Sequence, residues 1–271
     1  MLEKTFIGQK SKINFSEGPD NGPTVILLHA LGASWKSWNS IINFFINKYH
    51  LIAIDLRGHG NSDHIKENYS WENYSSDIYD FINYNSYKNI HIIGHSLGGI
   101  VGAITSINHK SIKTLCMEDP PIFFGGNNKS KNLLSLFEKQ MLLSKKNMTI
   151  EKTANEIIKF SKNIKKDVAI TRAKNILSAD YRIWETILLN KNRGHYSSDI
   201  LIKNINIPTL ILRANPKKNG VITEIQQKKL TENKNIEIDY WEDSGHNMHS
   251  TFPKRFSVKY SIFLNNYINN I

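Results

Sequence analysis

One cysteine, Cys116, stands in the 271 residues. A single thiol excludes an intramolecular disulfide, and such usage suits a reducing compartment, so a cytoplasmic protein is expected. Cys116 sits inside an apolar run and reads as a small core residue rather than a reactive thiol. Long apolar runs are missing too. No stretch approaches the ~18–20 residues of a membrane span. The opening "MLEKTFIGQK" has no apolar core of the kind a secretory signal needs. Acidic residues are few: 24 Asp and Glu face 35 Lys and Arg, for a net charge of +11. A nucleic-acid binder would gather that excess into a patch interleaved with aromatics. Here lysine is spread along the chain, and runs such as Lys145-Lys146 and Lys217-Lys218 are short. That pattern reads as a solvated basic surface, and no nucleic-acid partner is expected. The absence with most consequence is local: in "RANPKKNGVITE" no acid lies between Arg213 and Glu224.

What is present is an alternation of short β-type runs with helical spacing. Hydrophobic residues at 40% and charged residues at 22% are ordinary for a globular protein, and the length fits one large domain or a domain with an insertion. Residues 4–9 and 11–17 predict a hairpin. The run at 24–30 is continuously apolar, as expected of a strand covered on both faces, and 50–56, 89–95 and 111–117 read as further strands. Helical patterns at 36–48, 70–85 and after Ser96 separate them. This order predicts a parallel sheet with helices on both faces. From about Pro120 to Asn206 the alternation stops. Three segments, 130–144, 149–164 and 180–190, read as helices with no strand between them. A loop that long needs structure of its own, so 121–199 is expected to be a helical cap on a core built from 1–120 and 200–271. A strand at 207–213, a helix at 223–232, a strand at 236–242 and a helix at 256–270 close the chain.

"GHSLG", Gly94–Gly98, matches G-x-S-x-G between an expected strand and an expected helix. That sharp turn would lift Ser96 above the sheet's carboxyl edge as a nucleophile. "SGHNMH" follows the last expected strand and supplies His246 as the base, with His249 the lesser option; nucleophile first and base last is the order of this type of triad. With "HALGAS" at 29–34 and "DLRGHGNS" at 55–62, the chain resembles serine-type α/β-hydrolases across nearly its full length. The resemblance implies a mostly parallel central sheet, helices on both faces and a helical cap inserted after the sixth strand. It also implies an oxyanion hole formed by the backbone N–H groups of Leu31 and Leu97, and a structural role for the loop holding Asp55, Arg57, His59 and Ser62. Ala30 stands where such proteins usually carry Gly. Haloalkane dehalogenases and epoxide hydrolases resemble the chain in fold but attack with Asp, whereas position 96 is Ser.

In such proteins the triad acid usually occupies the loop after the strand at 207–213, where this chain reads Ala214-Asn215-Pro216. Asn215 could orient a histidine but carries no charge. The acid is therefore sought in "MEDPP", at the end of the strand after the nucleophile helix, as some relatives place it. Successive strand residues face opposite ways, so one of Glu118 and Asp119 should reach His246, and the resemblance of this strand end to such relatives favours Asp119. Asp243 is a third option. The expected activity is hydrolysis of a small or medium carboxylic ester through an acyl-enzyme, with no metal and no organic cofactor. The partner is a small acyl substrate, and the protein is a monomer or a homodimer. His29, Trp35, His95, Phe123 and Trp184 are the expected pocket residues. C–C bond hydrolysis, lactone opening and perhydrolysis on the same triad remain open, as does ligand binding without catalysis.

Overall fold

The computed structural model describes residues 1–124, 131–161 and 164–268. The apolar runs become the inner strands. β3 (Thr24–Leu28), β4 (His50–Ile54), β5 (Ile90–His95), β6 (Ile112–Glu118) and β7 (Thr209–Ala214) are buried almost throughout. β1 (Leu2–Ile7) and β2 (Lys12–Glu17) form the antiparallel hairpin at one edge, and β8 (Ile236–Trp241) closes the other. The sheet runs β1-β2-β4-β3-β5-β6-β7-β8 and is parallel from β4 onward, with β2 joining β4 antiparallel.

Two apolar clusters fill the two faces. One face takes α1 (Asn39–Phe45) and α11 (Pro253–Ile268), where Phe45, Phe256 and Tyr260 pack as a layer. The other takes α2 (Trp71–Tyr84), started by Ser70 accepting from the Asn73 N–H, and α3 (Leu97–Asn108). Four of the first six residues of α3 are Gly or Val, and small residues let the helix lie close on β5 and β6.

Between β6 and β7 the described residues form α4 (Lys131–Lys145), α5 (Ile150–Phe160), α6 (Lys166–Leu177), α7 (Arg182–Leu188) and α8 (Ser198–Asn204). Three of these, α4, α5 and α7, match expected helices. α6 is an addition: its inward face is carried by Ala169, Ala173 and Ile176, too small an apolar stripe to stand out in sequence. α8 is seven residues long, starts at a Ser197 cap and packs against α3. The expected helix ends at 162–163 and 269–270, and Ser130, lie outside the described residues. After β7 come α9 (Glu224–Leu230), opened by a Thr223–Gln226 capping box, and the short α10 (Met248–Thr251). Among the described residues no helix is long and apolar enough to cross a membrane.

Candidate active site

Ser96 sits at the tip of the β5–α3 turn with φ 51° and ψ −111°. A non-glycine residue there is strained, at a cost of about 1–3 kcal/mol. The flanking glycines make the turn possible. A Cβ on Gly94 would run into the Gly98 carbonyl, and one on Gly98 into the Leu28 carbonyl. The Ser96 N–H is tied to the Glu118 carbonyl at 2.9 Å, which sets the turn against the end of β6.

Asp119 follows directly on β6 and is fully buried. Its Oδ2 accepts a hydrogen bond from His246 Nδ1–H at 2.7 Å and from the Val221 N–H at 2.9 Å, while Oδ1 accepts from the Ala214 N–H at 3.3 Å. The Asp119 N–H donates to the Leu212 carbonyl at 2.8 Å. The end of β7 and the loop after it thus give no carboxylate but provide two backbone donors, Ala214 and Val221, that grip one from the neighbouring strand. Asn215 makes a turn: its Oδ1 accepts from the Lys217 N–H at 2.9 Å and its Nδ2 donates to the Glu242 carbonyl at 2.8 Å. Its amide is spent on backbone, not on His246. Asp243 pairs with Arg255 at the surface.

Glu118 turns the other way and binds a second histidine. Its Oε1 accepts the His249 N–H at 3.0 Å, and its Oε2 faces His249 Nδ1 at 2.6 Å. Burial pushes the Glu118 carboxyl up, but pairing with His249 outweighs that and holds its pKa at about 2. His95, the residue before Ser96, donates Nε2–H to the His246 carbonyl at 2.9 Å. Burial pulls the pKa of His95 down to about 3, so its ring is neutral.

Ser96, Leu31, Leu97 and His246 line one cavity of about 1530 Å³. Among the described residues no hydrogen bond occupies the backbone N–H of Leu31 or of Leu97. Phe124 and residues of α4 and α6 complete the wall, mixing Leu136 and Phe137 with Asn132, Gln140 and Arg172. Of the expected pocket residues, His95 and Phe123 line it. His29, Trp35 and Trp184 do not, for three physical reasons. His29 is fully buried with both ring nitrogens used, Nδ1–H donating to the Ala30 carbonyl at 2.7 Å and Nε2 accepting from the Leu56 N–H at 3.0 Å. Burial holds its pKa at about 4. Trp35 is half-buried against the core on the α1–α11 side, and its backbone N–H donates to Asp55 Oδ1 at 2.7 Å. Trp184 is fully buried behind Gly32, against the turn that carries Leu31.

The 55–62 loop buttresses that same turn. His59 donates Nδ1–H to the Arg57 carbonyl at 2.9 Å and accepts the Gly32 N–H on Nε2 at 3.0 Å, and burial holds its pKa at about 3. Asp55 receives the Trp35 and Asn61 N–H groups and the Asn14 amide, while Arg57 forks onto buried Asp77. These side chains are structural. The pairing of Glu118 with His249 is the feature that sequence reasoning missed. Its signal is two adjacent acids facing two histidines three residues apart.

An eight-stranded, mostly parallel sheet with a serine on a strained strand–helix turn is the architecture of the α/β hydrolases. The comparisons agree: the family described as alpha/beta hydrolase fold matches residues 23–149, and this chain has that fold. A candidate lipase from Acinetobacter baumannii AYE superposes with a TM-score of 0.81 and 25% identity, over 100% of this chain and 93% of that one. An esterase from Exiguobacterium antarcticum gives 0.77 at 18% identity, over 97% of this chain and 100% of that one. In sequence, epoxide hydrolase 3 of Xenopus tropicalis is 33% identical over 101 residues. That stretch is 36% of this chain and only 28% of the relative's length.

Proposed function

We propose that the protein is a serine hydrolase that cleaves a carboxylic ester through an acyl-enzyme. Ser96 attacks the acyl carbonyl while His246 Nε2 takes the hydroxyl proton. The free N–H groups of Leu31 and Leu97 stabilise the oxyanion, and His246 then protonates the departing alkoxide. A water activated by His246 attacks the acyl carbon, and collapse of the second tetrahedral intermediate returns the proton to Ser96 and releases the acid. Asp119 holds Nδ1–H and stabilises the imidazolium as it forms. The segment 121–199 acts as a cap whose helices shape the acyl site.

The observation that carries this reading is the 2.7 Å bond from His246 Nδ1 to buried Asp119, beside a cavity that Ser96 also lines. It leaves Nε2 as the nitrogen available to a serine. The candidate lipase and the esterase support ester chemistry by analogy of fold. The likeness to an epoxide hydrolase raises epoxide opening as the other reading. Ser96, at the position where Asp is expected in such enzymes, favours acyl transfer.

Hydrolysis of short and medium p-nitrophenyl esters tests the reading. The wild type should turn them over, and Ser96→Ala should lower kcat by roughly 10⁶-fold, as loss of a triad serine does. Activity that survives Ser96→Ala would remove Ser96 as the nucleophile. A wild type that opens epoxides and leaves the esters intact would favour the other reading.

A further inference from the structure

Two residues that the proposed chemistry does not use stand one position before two that it does. His95 precedes Ser96, and Glu118 precedes Asp119. His95 and Glu118 both end on the segment that carries His246. His95 Nε2–H holds the His246 carbonyl at 2.9 Å, and Glu118 Oε1 holds the His249 N–H at 3.0 Å.

The His249 ring extends the contact. Nδ1 faces Glu118 Oε2 at 2.6 Å and Nε2 faces the Ser37 carbonyl at 3.2 Å. A carboxylate and a carbonyl are both acceptors, so each ring nitrogen of His249 faces an acceptor oxygen. His29 and His59 differ, each accepting an N–H on one nitrogen. The titratable groups around His249 are Glu118 from β6, His95 from β5, and Cys116 on the same strand beneath the carboxylate; Trp38 and Phe256 cover the ring. The Ser40 hydroxyl donates to the His249 carbonyl at 3.0 Å. Ser37 and Ser40 belong to the 3-10 turn Trp35–Trp38 and to α1, just beyond the turn carrying Leu31.

We infer that the buried Glu118–His249 ion pair, together with His95, is the clamp that positions His246, fixing the base's backbone against both the nucleophile turn and the segment after Leu31. Glu118, His249 and His95 are positioning residues that act through the main chain of 246–249. The inference deepens the triad proposed above and rests on it only for its kinetic readout.

The test is ¹⁵N and low-field ¹H NMR of the histidine rings at pH 7, on wild type and Glu118→Gln, with p-nitrophenyl ester kinetics alongside. In wild type, His249 should show two protonated ring nitrogens and His246 a sharp, low-field Nδ1 proton. Glu118→Gln keeps the shape but removes the anion. The His249 ring should lose one proton and the His246 signal should broaden. kcat should fall roughly ten- to hundredfold, the scale of a misplaced catalytic group, with KM within about twofold. An unprotonated nitrogen on wild-type His249 overturns the inference and needs no variant to fold. So does an unchanged His246 signal in Glu118→Gln, or a kcat equal to wild type. If wild type hydrolyses no ester, the hydrolase reading fails, and the two ring signals still decide the clamp.

Discussion

Glu118 and Asp119 are chain neighbours, both fully buried, and each binds the Nδ1 of a histidine at 2.6–2.7 Å. What differs is the far side of each ring. His249 is 3% exposed, and its Nε2 lies against the Ser37 carbonyl at 3.2 Å. His246 is 25% exposed and turns toward the cavity. The carboxylates are held differently as well. Asp119 takes backbone N–H groups from Ala214 and Val221, which fix it independently of the histidine it serves. Glu118 takes the backbone N–H of His249 itself, which ties the helix to the strand. On the proposed reading, one acid–imidazole pair supports and the other reacts, and the second nitrogen separates the two.

The sharpest way to break this comparison is Asp119→Asn. An amide can present its NH₂ to Nδ1 and trap the wrong tautomer, and kcat should fall by about 10⁴-fold. Ester kinetics check it, and a kcat near wild type would mean that Asp119 is not the orienting acid. The loss from Glu118→Gln should be at least tenfold smaller.

Acid unfolding probes the same division among histidines. The pKa of His29 is held at about 4, and those of His59 and His95 at about 3, by burial. All lie below the ordinary value of 6.5, so the folded state holds fewer protons than the unfolded chain. The stability this gives is complete above pH 6.5 and falls as pH drops toward 4 and 3, by about 1.4 kcal/mol per pH unit for each ring. Glu118, held at about 2 against an ordinary 4.5, adds stability that is lost between pH 4.5 and 2. Urea unfolding at pH 7.5, 6 and 5 should show stability falling at each step; a flat profile would mean these rings are not neutral in the fold.

The smallest effect is expected at Asn215. Asn215→Asp removes the donor to the Glu242 carbonyl and should cost about 1 kcal/mol of stability. It should leave kcat within about threefold and should not rescue Asp119→Asn, because the side chain at 215 is aimed at backbone. Thermal melts and ester kinetics on the single and double variants check both points.

Much of the fold and of the candidate site is legible in the residues themselves. The apolar runs mark the inner strands because strands covered on both faces have no polar side to show. Gly94 and Gly98 mark the turn because it leaves no room for a side chain. The missing acid at 214–220 points to "MEDPP", where Asp119 meets His246. Other features depend on tertiary direction. His29, Trp35 and Trp184 lie near the cavity in sequence or in space, yet each side chain turns into the core, and periodicity cannot report that. From sequence, Glu118 stands only as a rival to Asp119 for His246. Its own partner emerges because α10 places His249 over the end of β6.

Mass spectrometry after treatment with a p-nitrophenyl phosphonate tests the central claim most directly. A phosphonate traps an activated serine as a stable mimic of the tetrahedral intermediate. The wild type should gain one adduct per chain, mapped to Ser96, and Asp119→Asn should label far more slowly. A modification elsewhere, or one that persists in Ser96→Ala, would contradict the assignment of Ser96, His246 and Asp119 as one reacting unit.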